Sequence, residues 1–186
     1  MWIKELFVLL QSNMNTVEGT AVPFFVKFTH VMILKELVNQ EIESFLNDTE
    51  YYLVDINIDN TNRINIEVDS FEGVSIDFCA KLSKYIESKL DREVDDFELQ
   101  VSSAGLTEPF KVLKQYEKNI DNEVEVLTND GKKITGFLVS ADENEFVVQI
   151  EKTEKPEGAK RKITTQEDLI FKYTDIKYTK YIIRFK

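Results

Sequence analysis

The stretch from Phe97 to Phe110, reading FELQVSSAGLTEPF, constrains this chain more than any other. Its first half alternates, with Phe97, Leu99 and Val101 on one side and Glu98, Gln100 and Ser102 on the other. A period of two marks a strand with one buried face. The alternation stops at Ser102-Ser103-Ala104-Gly105, small residues suited to a tight turn, and Pro109 lacks the N–H that a strand ladder needs. Before this break the chain reads as helices mixed with strands, and after it as short strands and turns only. Such a change at a turn-rich, proline-containing stretch marks a joint between domains, here residues 104–111.

Charge divides at the same place. The chain carries a formal net charge of −11. Residues 32–108 hold 6 Lys and Arg against 18 Asp and Glu, a net of −12, whereas residues 109–186 hold 15 against 14, a net of +1. An acidic surface repels free nucleic acid, whose binding requires Lys and Arg to displace counterions from phosphate. It attracts and steers a basic protein. Acid also simply keeps a domain soluble, and charge alone does not separate the two readings. With 186 residues and 42% hydrophobic content, the chain has room for one or two folded domains. The single cysteine, Cys79, excludes an internal disulfide and fits a reducing compartment. No apolar run reaches the roughly 18 residues of a membrane span, so the chain reads as cytoplasmic with no membrane partner.

WIKELFVLL is a poor signal peptide, because its apolar core is short and Glu5 interrupts the would-be basic region. The recognisable pattern begins only near Met32, so residues 1–31 read as an upstream extension or a disordered leader. From Met32, the spacing of Leu34, Leu37, Val38, Ile42, Phe45 and Leu46 predicts a helix ending at Asn47-Asp48. Tyr52, Val54, Ile56 and Ile58 then alternate with Leu53, Asp55, Asn57 and Asp59. After the turn Asp59-Asn60-Thr61-Asn62, Ile64, Ile66 and Val68 alternate with Arg63, Asn65, Glu67 and Asp69. This predicts a hairpin with one apolar face and one acidic face that nothing obvious covers. Gly73 introduces a second helix, with Ser75 as its N-cap and Asp77 in its first turn. Its stripe of Phe78, Cys79, Leu82, Tyr85, Ile86 and Leu90 puts Cys79 on the core side as a small buried hydrophobe. With Phe97–Val101 as a third strand, the crossover rule places both helices on the apolar face of a three-stranded sheet.

The second half is punctuated by turns. Val124 and Val126 lead to Asn129-Asp130-Gly131, a strong hairpin signal. A strand from Ile134 to Val139 contains Gly136, which marks a bend of a small barrel. After a turn at Ala141–Asn144, Phe146, Val148 and Ile150 alternate, and Glu151–Lys162 reads as a long loop. Leu169–Tyr173, a single 3₁₀ turn at Thr174–Ile176, and Tyr178–Phe185 complete the pattern. Five short strands with one long loop predict an SH3-like or Sm-like barrel over residues 112–186.

Catalysis has little to stand on. The only histidine is His30, so residues 32–186 hold neither a histidine base nor the ligands of a structural zinc site. Asp91, Glu93, Asp95 and Asp96 do not match a calcium loop and read as a solvated run. Ser102-Ser103 lacks a base and the glycine pattern of a nucleophile elbow. A non-enzyme without cofactor or metal is expected. Three sets of residues remain for binding. Lys160, Arg161 and Lys162, with Lys152 and Lys155, crowd the long loop among Glu151, Glu154 and Glu157, as a solvated segment or a phosphate contact. The stretch Ser102–Lys111, with Ser102, Ser103, Gly105, Leu106 and Lys111, offers shape, or serves only as a packed joint. Glu67 and Asp69 offer charge to a basic partner.

Residues 101–110, VSSAGLTEPF, followed by Tyr116, resemble the central motif VSSPGLDRPL of the ribosome maturation factor RimP family. Ala104, Thr107 and Glu108 depart from its Pro, Asp and Arg. Residues 73–83, GVSIDFCAKLS, are similar to a second segment of that family, of the form GVTIDDCAxxS. The likeness runs over residues 32–186, and the family's usual glycine is replaced by Asp121, a residue that tolerates left-handed backbone. The resemblance implies an α+β protein, with a KH-like α-β-β-α-β layer over residues 32–103 and an SH3-like barrel over 112–186. It implies a monomeric, non-catalytic assembly factor that binds the small ribosomal subunit during its maturation, near a basic ribosomal protein and adjacent rRNA. RNA-binding KH domains clamp the backbone with a GXXG loop. The glycines here are Gly19, Gly73, Gly105, Gly131, Gly136 and Gly158, and no pair has that spacing. The alternative is an Sm-like or KH-like regulator of free transcripts, with salt-sensitive affinity for naked RNA. A third is a protein-binding adaptor using the acidic sheet. DNA is not an expected partner.

Overall fold

Val38, Ile42 and Leu46 recur every four residues, so helix α1 (Pro23–Leu46) has one apolar face, and these three are buried. The helix starts at Pro23, upstream of Met32 where the apolar stripe alone would begin it. Proline suits a first helical position, where its missing N–H has no intrahelical partner. The computed structural model describes residues 23–90, 96–154 and 163–184. The chain divides into two units, Met1–Leu34 and Lys35–Lys186, and both sheets lie in the second. Among the described residues the protein is mixed α/β, with three α-helices and two sheets.

The first sheet has the order β1-β2-β3, from β1 (Tyr51–Ile58), β2 (Arg63–Ser70) and β3 (Glu98–Ser103). Asp59 closes the β1–β2 turn, its Oδ1 accepting from the backbone N–H groups of Thr61 at 2.7 Å and Arg63 at 3.0 Å. Asn62 takes a left-handed φ of +58° there. β2 and β3 are parallel, which requires a crossover, and helix α2 (Ile76–Lys89) provides it. Ser75 caps α2 as expected, its Oγ accepting from Phe78 N at 3.2 Å. Phe78, Leu82 and Ile86 of α2 are buried, as are Ile64, Ile66 and Val68 of β2. Cys79 is a half-buried free thiol whose pKa is pushed up by burial. α1 meets α2 where Phe45 packs 5.9 Å from Phe78 and 4.8 Å from Tyr85. Glu41 of α1 accepts from Tyr85 Oη at 2.9 Å and pairs with Lys89 at 3.0 Å.

The strand alternation of β1 breaks in the middle. The β1–β2 register shifts between Leu53 and Asp55, so Leu53 pairs with Val68 while Asp55 pairs with Glu67. One extra residue reverses which side chains face which way. Tyr51 therefore stacks on Phe78 of α2, at 3.5 Å between ring centroids. Tyr52 stands opposite Asp69, on the face away from the helices, where simple alternation would have put it on the helix side with Ile56.

The second sheet holds β4 (Glu123–Thr128), β5 (Lys133–Ala141), β6 (Glu145–Glu154), β7 (Ile163–Lys172) and β8 (Ile176–Tyr181). Its order is β7-β6-β5-β4-β8, and among the described residues it stays open, with β7 and β8 at its two edges. The β6–β7 ladder continues out to Glu154 opposite Ile163, through residues whose sequence reads as loop. The Asn129-Asp130-Gly131 hairpin forms as expected, with Gly131 at φ +87°. So does the 3₁₀ turn, at Tyr173–Asp175. The segment after the joint is not strands only: Leu113–Lys118 forms a short helix, α3. Its start is held by Gln115, whose buried amide oxygen accepts from the backbone N–H of Lys111 at 2.7 Å and of Val112 at 3.3 Å. Its Tyr116 ring enters the core of the second sheet, 5.0 Å from Phe146 and 5.2 Å from Tyr173. Around it lie Val124, Val126, Leu138, Val148 and Phe171. Six residues are too few to display a helical stripe, which is why the sequence reads past them.

Candidate functional site

Asp55 and Glu67 are cross-strand partners, so their carboxylates share the sheet face opposite the helices. Ser102 of β3 lies in register beside Glu67. Asp69, two residues beyond Glu67, joins the same face opposite Tyr52, whose Oη donates to Asp69 Oδ2 at 3.1 Å. Like charges placed directly opposite destabilise a sheet unless something lies between them.

Helix α3 supplies what lies between them. Lys111, just before the helix, reaches Asp55 at 2.7 Å and Glu67 at 2.9 Å. Lys114 Nζ sits 5.3 Å from the centroid of the Tyr52 ring, a cation–π distance. Lys118 pairs with Asp69 at 2.8 Å. The three lysines are spaced i, i+3, i+7, one side of a helix. Hydrogen bonds to Asp55 first, and to Glu67 next, hold the Lys111 ammonium above its usual pKa. Burial, and then the neighbouring Asp69 charge, push the Tyr52 phenol above the ordinary tyrosine range, so it stays a donor. The acidic face expected to lie uncovered is thus met by a lysine face of the same chain.

The backbone of the joint is tied at both ends. Ala104 N donates to Val68 O at 2.9 Å, continuing the β2–β3 ladder, and Phe110 N donates to Thr179 O of β8 at 2.8 Å. Between them Glu108 N donates to Gly105 O at 3.1 Å in a local turn, and residues 105–109 are all exposed. Phe110 packs edge-on against Tyr116 at 5.0 Å, anchoring α3 to the second sheet.

Of the residues singled out in the sequence, the structure brings Glu67, Asp69, Ser102 and Lys111 to one face. Asp69 is only 9% exposed there. Ser103 is the exposed last residue of β3, opposite Val68, whereas Gly105 and Leu106 lie along the exposed joint, and Leu106 is 67% exposed. Lys160, Arg161 and Lys162 lie outside the described residues. Sequence reasoning missed Tyr52, Asp55, Lys114 and Lys118. The lysine spacing was visible, but only as a pattern on a helix that had not been recognised. Elsewhere, an open cleft of about 600 Å³ on the second sheet is lined by Glu123, Gly136, Phe137, Tyr181 and Arg184 among others, with Arg184 paired to Glu123. Among the described residues no cluster of His, Cys, Asp and Glu is arranged to hold a metal, and no helix is long and apolar enough to cross a membrane.

The chain is similar to a protein of Porphyromonas gingivalis named ribosome maturation factor RimP, at 41% identity over 152 residues, covering 82% of this chain and 100% of that relative. It belongs to the RimP family. The model of the RimP N-terminal domain matches residues 41–107, which run from α1 through the first sheet into the joint. RimP of Christiangramia forsetii is 38% identical over 154 residues, again 82% of this chain and all of the relative. RimP of Flavobacterium psychrophilum is 32% identical over 152 residues, covering 96% of the relative. Against the RimP motif, Ala104 gains a chemical consequence: proline at that position has no N–H, so the bond to Val68 O is one that VSSPGL cannot make.

Proposed function

We propose that this chain is a non-catalytic assembly factor that binds the small ribosomal subunit during its maturation, touching a basic ribosomal protein and adjacent rRNA. The observation that carries the reading is the match, over 82% of this chain and the whole of each relative, to proteins named ribosome maturation factor RimP. The concentration of acid in residues 32–108 supports a basic protein rather than naked RNA as the first contact. The α-β-β-α-β order of the first sheet and its helices supports a KH-like layer over residues 32–103. The five antiparallel strands with a 3₁₀ turn before the last support an SH3-like barrel over 112–186 that is open between β7 and β8 among the described residues, with residues 104–111 as the joint. On this reading the protein works as a cytoplasmic monomer.

The test is cosedimentation of the full chain with immature small subunits, mature small subunits and large subunits at moderate salt. Pelleting with small subunits, strongest for immature ones, is the expected result. Absence from every particle, with tight salt-sensitive binding to naked RNA, would overturn it in favour of a regulator of free transcripts.

A further inference from the structure

The carboxylates best suited to a basic partner are occupied by ammonium groups of the same chain. Lys111 bridges Asp55 and Glu67, Lys118 holds Asp69, and Lys114 covers Tyr52. Phe110 and Tyr116 fix the lysine helix to the second sheet, so these contacts also fix that sheet to the first. The segment that would move if they parted is short and exposed: residues 105–109, between the bonds of Ala104 to Val68 and of Phe110 to Thr179.

We propose that the lysine helix and the acidic sheet face form an autoinhibitory clasp. The face recognises a lysine-bearing protein segment, α3 is its resident occupant, and a basic protein partner must displace α3 and open the joint. The proposal rests on the basic-partner reading above for its biological competitor, but the recognition itself is a property of this chain. Two of the clasp's three ion pairs, those of Lys111, are built to be released, while the less exposed Lys118–Asp69 pair favours the closed state. Lys111, Asp55 and Glu67 are each more than a third exposed, and such pairs are individually weak and screened by salt. Short tethering gives α3 an effective concentration in the millimolar range, which is what holds a weak contact closed. An open state populated at about 10% or less lowers the apparent affinity of any competitor by that fraction.

The experiment compares the full chain with two variants of equal charge. One is K111S/K114S/K118S; the other neutralises the exposed Lys81, Lys84 and Lys177, as K81S/K84S/K177S. The probe is a labelled alanine–lysine helical peptide of about 20 residues with lysines at i, i+3 and i+7, titrated by fluorescence anisotropy at about 50 mM salt. The clasp variant is expected to bind about tenfold or more tighter than the natural chain, with an increased radius of gyration in solution scattering. The charge-matched variant is expected to change by about twofold or less, and D55N/E67Q to lose the peptide. If K111S/K114S/K118S does not fold, K111S/K114S keeps the Lys118–Asp69 pair and must shift affinity in the same direction. Equal affinities for the clasp and charge-matched variants, or weaker binding by the clasp variant, would overturn the proposal. Failure to pellet with any ribosomal particle would remove the ribosomal reading without touching this peptide competition.

Discussion

Lys118 Nζ lies 2.8 Å from Asp69 Oδ1, with only 21% and 12% of the two side chains exposed. Asp69 also accepts from Tyr52 Oη and from the backbone N–H of Ser70. Removing one partner of a nearly buried pair leaves the other charge desolvated without compensation. Lys118→Met is expected to cost about 2 kcal/mol in urea unfolding. Lys111→Met, whose partners are more exposed, is expected to cost about 0.5–1 kcal/mol, and that loss should shrink toward zero in high salt. Equal costs for the two would contradict the burial argument.

Gly136 and Gly131 are needed for different reasons. A Cβ on Gly136 would lie 2.4 Å from the backbone oxygen of Gln149 and 2.7 Å from Val148 Cγ1. That carbonyl belongs to the strand paired with β5 and cannot retreat without disturbing the ladder. Gly136→Ala is expected to cost about 3 kcal/mol. At Gly131 nothing lies within 4 Å, but φ is +87°, so Gly131→Ala should cost about 1 kcal/mol and Gly131→Asn less. Thermal melts of the three variants rank them directly.

Asp121 holds a left-handed φ of +67° while its N–H donates to Leu138 O at 2.8 Å. The resemblance to the RimP family implies glycine at this position. Relief of the backbone strain should outweigh the added freedom of the unfolded chain, so Asp121→Gly is expected to stabilise by about 0.5 kcal/mol. A lower urea midpoint in this variant would show that the aspartate side chain contributes more than the strain removes.

Acid should weaken the fold through its turns. The Thr128 hydroxyl first, and the Lys132 side chain next, hold the Asp130 carboxyl down to about 2. Asp59 is lowered chiefly by the Thr61 hydroxyl, and Asp142 by the backbone N–H groups of Asn144 and Glu145. In each case the native state binds fewer protons than the unfolded chain, so stability rises with pH across the window. The contribution is complete above the ordinary aspartate pKa near 3.8 and is lost as pH falls through about 2 for Asp130. Urea unfolding from about pH 5 to about pH 2 should show this decline, and Asp130→Asn should flatten part of it.

Where neighbouring residues decide the outcome, the sequence was legible. Ser75 caps α2, and Asp59 and Asp130 close their hairpins. The stripes of α1 and α2 bury Val38, Ile42, Leu46, Phe78, Leu82 and Ile86, while Leu37, Phe45, Cys79, Tyr85 and Leu90 are only half-buried. Illegibility began where one residue changed the phase. The register shift near Val54 moves Tyr52 to the acidic face, and no composition signal accompanies it. The helix α3 is held by a single glutamine side chain and by a tyrosine that a distant sheet receives. The β6–β7 ladder extends through polar residues whose pairing comes from the partner strand rather than from an apolar pattern.

The sequence by itself determined the order of helices and strands in the first sheet, the turns, the family, and the division of charge at the joint. Each of these follows from spacing within a few residues, or from composition, which a linear chain displays. Only the tertiary structure decided what the charge is for. Lys111 and Asp55 are separated by 56 positions, Lys118 and Asp69 by 49. Their pairing needs a shifted strand, a six-residue helix and a tyrosine anchor to be in place together. Electrostatic attraction acts through space over a few ångströms, so lysines and carboxylates far apart in the chain become partners only when the fold sets them side by side.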